Sequence, residues 1–206
     1  MPAPFFHLAL TEKVFDRYFN QLSLNRFIAG TLFPDIRYLQ VAEREKLHFE
    51  IHSLSDITTA DAFQAGMQFH SLVDSAKQSF NRQHDLYKSY DGIKGLGLAI
   101  RVAEDALVFR HVKKTSAHVK ALSRVYPEQH QFAIPPIFLK TWHVLLQQYL
   151  SRAPGAWTLT AIASSMGFSE MQIIDLNKTY RRLLKDEQVR DGVVSFYDST
   201  VWVAGD

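Results

Sequence analysis

Apolar residues recur at helical spacing along most of the chain. From Thr11 to Leu22, Val14, Phe15, Tyr18, Phe19 and Leu22 lie three and four apart, the stripe of an amphipathic helix. A second apolar segment, Phe27 to Phe33, stops at Pro34-Asp35 because proline disfavours helix in the residue before it. Asp61 is placed to cap a longer helix reaching about Arg82, with Phe69, Val73, Ala76 and Phe80 along one side. Gly95 and Gly97 precede a periodic stretch from Leu98 to Val112. The proline-rich segment Tyr126 to Pro136 reads as a loop and an internal boundary. It divides a helical region, 1–125, from a C-terminal helical region, 126–206, expected to pack on the same domain.

Beyond that boundary Phe138 to Leu150 is again amphipathic, and Ala153-Pro154-Gly155 breaks the chain. Thr158 to Met166 and Ser169 to Leu184 then form two helices joined at Gly167. Val193 to Val203, rich in Val, Phe, Tyr and Trp, is expected to form a strand or a tight hairpin about Asp198-Ser199. The pattern predicts an all-α, multi-helix bundle with a small C-terminal β element.

Composition narrows the function classes. The chain has 206 residues, 47% hydrophobic and 21% charged, which excludes a disordered or fibrous protein. A formal net charge of +2 creates no field that argues for nucleic acid, so a nucleic-acid partner is not expected. The absence of cysteine removes disulfides, thiolate ligands and a cysteine nucleophile together. The N-terminus MPAPFFHLAL lacks the basic region and cleavage site of a secretory signal. The longest apolar runs, such as Ile134 to Leu139, fall far below the roughly 18 residues of a membrane span. A soluble, cytoplasmic protein without a transmembrane segment is expected; a homo-oligomer and a monomer fit the sequence equally.

The informative residue is histidine. His70 and Asp74 in FHSLVD are four apart, which puts both on one helix face about 5 to 6 Å apart at Cβ and able to share a divalent cation. Such a pair also occurs as a solvated face, and three further features shift the weight. Asp35 ends Gly30-Thr-Leu-Phe-Pro-Asp35 directly after an apolar helix; His48 lies between Leu47 and Phe49; His7 lies between Phe6 and Leu8.

The ordered set His7, Gly-x-x-x-Pro-Asp35, His48-Phe49 and Gly66-x-x-x-His70-x-x-x-Asp74 resembles the zinc-dependent bacterial phospholipase C superfamily, an all-helical fold shared with zinc-dependent single-strand nucleases. The resemblance spans roughly residues 5 to 80. It implies that Asp35, His48, His70 and Asp74 surround zinc or another divalent metal ion. His7 and a bridging Asp74 would serve a neighbouring ion, and a metal-bound water would attack a phosphoester. The substrate would be a small phosphoester or a phospholipid, with Arg37 and Lys46 as phosphate contacts. The family's His-x-x-x-Glu pair is absent. Glu104, seven residues before His111 on an apolar stripe, is the nearest substitute as a metal ligand.

Two other readings compete. His84-Asp85, with His48 or His70 upstream and Asp105 downstream, resembles the HD-domain phosphohydrolases, also helical and metal-dependent. The segment 159–185 resembles a helix-turn-helix followed by Lys178, Arg181, Arg182 and Lys185, which suits a non-catalytic binding protein. No Gly-x-Ser-x-Gly and no phosphate-binding glycine loop is present.

Overall fold

Asp61 starts the longest helix: its side chain accepts the Gln64 amide at 2.8 Å, and the helix runs Ala62–Gln83. The computed structural model describes residues 3–199, which contain helices and no strand. In chain order the helices are α1 (Pro4–Tyr18), α2 (Leu24–Leu32), α3 (Arg44–Leu47), α4 (Ala62–Gln83) and α5 (Leu96–Val108). They continue as α6 (Thr115–Ala121), α7 (Pro136–Leu150), α8 (Ala156–Ser165), α9 (Glu170–Lys185) and α10 (Glu187–Asp198), with short 3-10 turns between several of them. The all-α expectation holds. No helix among the described residues is long and apolar enough to cross a membrane.

The tightest pairing is α2 on α4, and two glycines make it so. A Cβ on Gly30 would fall on the backbone of Phe63, and a Cβ on Gly66 would fall on the Phe27 carbonyl and the Thr31 amide. Each helix therefore rests a bare backbone against the other. Phe33 and Phe63 close one end of this seam, and Phe27 and Phe69 the other, with ring centroids 5.2 and 5.6 Å apart.

Helix α1 begins at Pro4, not at Thr11. Its first turns carry Phe5, Phe6, Leu8, Ala9 and Leu10, all fully buried, so they are apolar on every side and show no stripe. The helix has no N-cap of its own. Asp105 of α5 supplies one, accepting the amides of Phe5 at 3.1 Å and Phe6 at 2.8 Å, and Tyr149 of α7 donates its hydroxyl to the same carboxylate at 2.8 Å.

The C-terminal helices pack as a hairpin and an extra helix. Ser169 caps α9 in a capping box with Gln172, and Gly167 takes the left-handed conformation (φ 79°) between α8 and α9. The β element expected from Val193 is overturned up to Asp198, which ends α10; residues 200–203 of that expectation lie outside the described residues. Asp186 caps α10 by accepting the Val189 amide, and Val189, Val193 and Phe196 bury at spacings of four and three. A helical period hides there inside a β-prone composition.

Candidate metal centre

Four segments converge on Asp74. His7 comes from the second turn of α1, whose start is pinned by Asp105. Asp35 follows Pro34 in the 3-10 turn Pro34–Leu39 that α2 runs into. His48 ends α3. His70 and Asp74 share one face of α4.

The imidazole Nε2 atoms of His7, His48 and His70 lie 3.5, 3.5 and 3.6 Å from the Asp74 carboxylate, with His7 facing Oδ1 and the other two facing Oδ2. His7 and His70 stack with centroids 4.2 Å apart and planes 14° from parallel, and His48 meets His70 edge-on at 5.1 Å. The side chains of His7, His70 and Asp74 are 1% exposed and that of His48 4%.

Backbone carbonyls set the ring orientations. His70 Nδ1 donates to the Thr31 carbonyl at 2.9 Å, and His48 Nδ1 to the Arg44 carbonyl at 3.2 Å. Both rings therefore turn Nε2 inward. The chain after His48 is held to α4 by the Phe49 amide, which donates to Ser71 Oγ at 3.0 Å. Ser71 has no motif around it, and nothing in the sequence marks its role.

Burial, reinforced by His7, holds His70 well below the ordinary imidazole range, so it is neutral. Burial alone would raise Asp74, but His70 and then His48 and His7 outweigh it and hold the carboxyl well below the usual range. The neutral His70 ring, donating through Nδ1, thus turns an Nε2 lone pair toward an anion. Both oxygens of Asp74, the Nε2 atoms of all three histidines and Asp35 Oδ1 are buried without a hydrogen-bond partner among the described residues. Each such atom costs about 1 to 3 kcal/mol when left unpaired. A cation held by His7, His70 and Asp74 would remove the cost at the atoms that ligate it. His7, His70 and Asp74 offer donor atoms within 4.8 Å of one another and can hold a metal ion. Two nitrogens and an oxygen suit zinc and its first-row neighbours better than calcium or magnesium.

Asp35 stands at the edge of this group. Burial, then the charge of Asp74, pushes its carboxyl up, while His7, Arg101 and Arg37 draw it down. Arg37 Nη2 is 3.8 Å from Asp35 Oδ1 and donates to the Tyr38 hydroxyl at 2.8 Å. Lys46 is exposed on α3. Tyr38 and Arg101, which carried no motif, join Arg37 beside Asp35.

Glu104 is not brought into this group. It is buried, and its Oε1 pairs with Lys77 Nζ at 2.7 Å and accepts from the Tyr87 hydroxyl at 2.5 Å. Lys77, fully buried on α4, also reaches Asn81 Oδ1 at 2.6 Å. Glu104 pairs with a buried lysine and is not in the group His7, His70 and Asp74 that can hold a metal ion among the described residues.

The HD-like pattern does not assemble either. His84 lies 14 residues beyond His70 on the same helix axis, roughly 21 Å away. It is exposed against Phe80, while Asp85 is exposed and 3.3 Å from Lys88. Asp105, the third member, is spent on the start of α1. The hairpin of α8 and α9 forms as expected, and Asp175 shares its outward basic face by pairing with Lys178 at 3.1 Å. Comparison with protein-family models, curated proteins and solved structures returned no match, so the chemistry of this centre rests on its own geometry.

Proposed function

We propose that the chain is a metal-dependent phosphoester hydrolase resembling the zinc-dependent phospholipase C superfamily in its ligand order. The observation that supports this is Asp74, whose two oxygens face three buried imidazoles with no hydrogen bond to any of them. A divalent ion held there supplies charge neutralisation at phosphoryl oxygens and a water acidic enough to attack at neutral pH.

The residues divide the work by position. Thr31 and Arg44 carbonyls lock the His70 and His48 tautomers, so that Nε2 is the ligating atom of each. Asp74, with oxygens facing different histidines, is suited to bridge two cations. Asp35 adds a second carboxylate on the side where Arg37, Tyr38 and Arg101 lie, which is the side from which substrate is expected to enter. Glu104 has no part in the chemistry.

Metal analysis of protein purified without tag or chelator tests the centre. At least one bound zinc, manganese or iron is expected, and His70→Ala and Asp74→Asn should each lose it while keeping their helicity. Zinc added at about a thousand times its Kd should raise stability by about 4 kcal/mol, or a Tm shift near 10 °C in a chain of this size. Hydrolysis of 4-nitrophenyl phosphate and its bis ester should follow metal content. Protein that binds no divalent ion after reconstitution overturns the proposal.

A further inference from the structure

Four large apolar side chains project from the hairpin of α8 and α9. Trp157, Met166 and Met171 are each at least 60% exposed, and Ile174 is 42% exposed. On α9 they join a stripe in which Met171, Ile174, Lys178, Arg181 and Lys185 recur at spacings of three and four, all exposed. Leu176, Thr179, Tyr180 and Leu183 are buried on the opposite side. The stripe is apolar over its first turn and cationic beyond it, where the exposed Arg182 widens it. The turn at Gly167 carries Met166 to the apolar end of the hairpin.

Trp157 lies further back. It shares an open groove with Ile174, Lys178 and Arg181, and the Arg152 guanidinium covers its ring with the carbon 4.1 Å from the centroid. The hairpin is thus layered: an apolar tip, then a tryptophan among cations, then Arg182 and Lys185. Met171 and Lys178 are one seven-residue step apart on α9, roughly 10 Å along its axis. An amphipathic element sinks about 5 to 10 Å into the boundary between headgroups and acyl chains, and tryptophan favours headgroup level.

The charges choose the occupant. Among the described residues Lys178 pairs with Asp175 at 3.1 Å, and Glu170 lies in the first turn of α9. The attraction therefore rests on Arg152, Arg181, Arg182 and Lys185, none of which forms an ion pair among the described residues. A second copy related by a two-fold axis would set these cations against one another. A nucleic-acid strand would find one face of Trp157 already covered by Arg152, and Met171 and Ile174 offer base edges no hydrogen bond. An anionic bilayer takes every layer: hydrocarbon for the tip, the interface for Trp157 and negative headgroups for the cations.

We propose that this end of the hairpin docks peripherally on an anionic lipid surface, with Met166, Met171 and Ile174 inserted and Trp157, Arg152 and Arg181 at the headgroups. The docking does not rest on the metal centre.

Sedimentation of the full chain with vesicles tests it. Vesicles of phosphatidylserine and phosphatidylcholine in equal parts should bind at least about tenfold more tightly than phosphatidylcholine alone, and added salt should release the protein. Arg181→Gln should weaken binding about fivefold, the worth of one cation at such a surface. Met171→Asp, at a side chain open to solvent and so without a folding cost, should weaken it about tenfold or more. Fluorescence should shift to the blue on binding, and the shift should be missing in Trp157→Phe. Asp74→Asn should bind as the unaltered protein does. Equal binding to the two kinds of vesicle, or binding untouched in both Arg181→Gln and Met171→Asp, overturns the proposal. So does loss of binding in folded Asp74→Asn, which moves the contact to the metal centre. Tight binding of a single-stranded oligonucleotide with none to vesicles overturns it in favour of nucleic acid.

Discussion

His70 donates its Nδ1 hydrogen to the carbonyl oxygen of Thr31, 2.9 Å away. That carbonyl belongs to the last turn of α2, where no residue of its own helix can take it. One bond therefore satisfies an orphaned acceptor, fixes the histidine tautomer and ties α4 to the segment that ends in Asp35. It exists only because α2 and α4 touch at Gly30 and Gly66.

Gly66→Ala should consequently damage both stability and the metal centre. The added methyl meets backbone at Phe27 and Thr31, which cannot rotate away. A loss of about 3 kcal/mol in urea denaturation is expected, together with weaker zinc binding as Thr31 moves off His70. A variant with unaltered stability and zinc affinity would show that the glycine contact does not position His70.

Glu104→Gln separates structure from ligation. Removing the carboxylate leaves Lys77 charged in a site that is fully closed to water, and a loss of about 3 to 5 kcal/mol is expected. Zinc stoichiometry should remain that of the unaltered protein. Loss of metal in a variant that still folds would return Glu104 to the ligand set.

Asp105 carries the start of α1 and, one residue beyond Phe6, the position of His7. Asp105→Ala strands two amides and the Tyr149 hydroxyl in the interior, with an expected cost of about 3 kcal/mol. Asp105→Asn, which retains an acceptor oxygen, should cost less. Zinc affinity should fall in the order of these two losses; identical affinity in all three proteins would detach His7 from this anchor.

His118 predicts the direction of a pH effect. Burial lowers its pKa below 6.5 despite Glu12 Oε1 at 3.3 Å. The folded state then binds fewer protons than the unfolded state as pH falls through 6.5, so stability is present above that pH and lost below it. Denaturation midpoints at about pH 5 and pH 8 should differ in this sense, and the difference should shrink in His118→Gln. An unchanged difference would assign the acid sensitivity to other groups.

Much of the helical framework was legible because each surface helix carries its own evidence. Asp61 and Ser169 cap where their hydroxyl or carboxylate chemistry requires, and Phe69 and Val73 bury, with Phe80 half-buried, on the stripe their spacing announces. The first half of α1 was hidden because full burial erases amphipathicity. Helix α6 was hidden because its cap is remote: Glu12 accepts the Lys113 and Lys114 amides from a hundred residues away. At α10 the β-branched and aromatic composition outweighed a period of which only three positions bury.

The donor set shows the same division. His7, His70 and Asp74, the three groups that can hold a metal ion together, were legible in the chain because short ordered motifs single them out and His70-x-x-x-Asp74 fixes its own geometry through the helix repeat. Glu104 could not be sorted from them, since its partner Lys77 lies 27 residues earlier on another helix. Nor could Tyr38, Arg101, Ser71 or the Thr31 carbonyl be assigned, for a hydrogen bond or a cation over a ring has no periodicity to betray it. Local spacing determines which side chains one helix can offer together; only the crossing of α1, α2, α4 and α5 decides which of those groups meet.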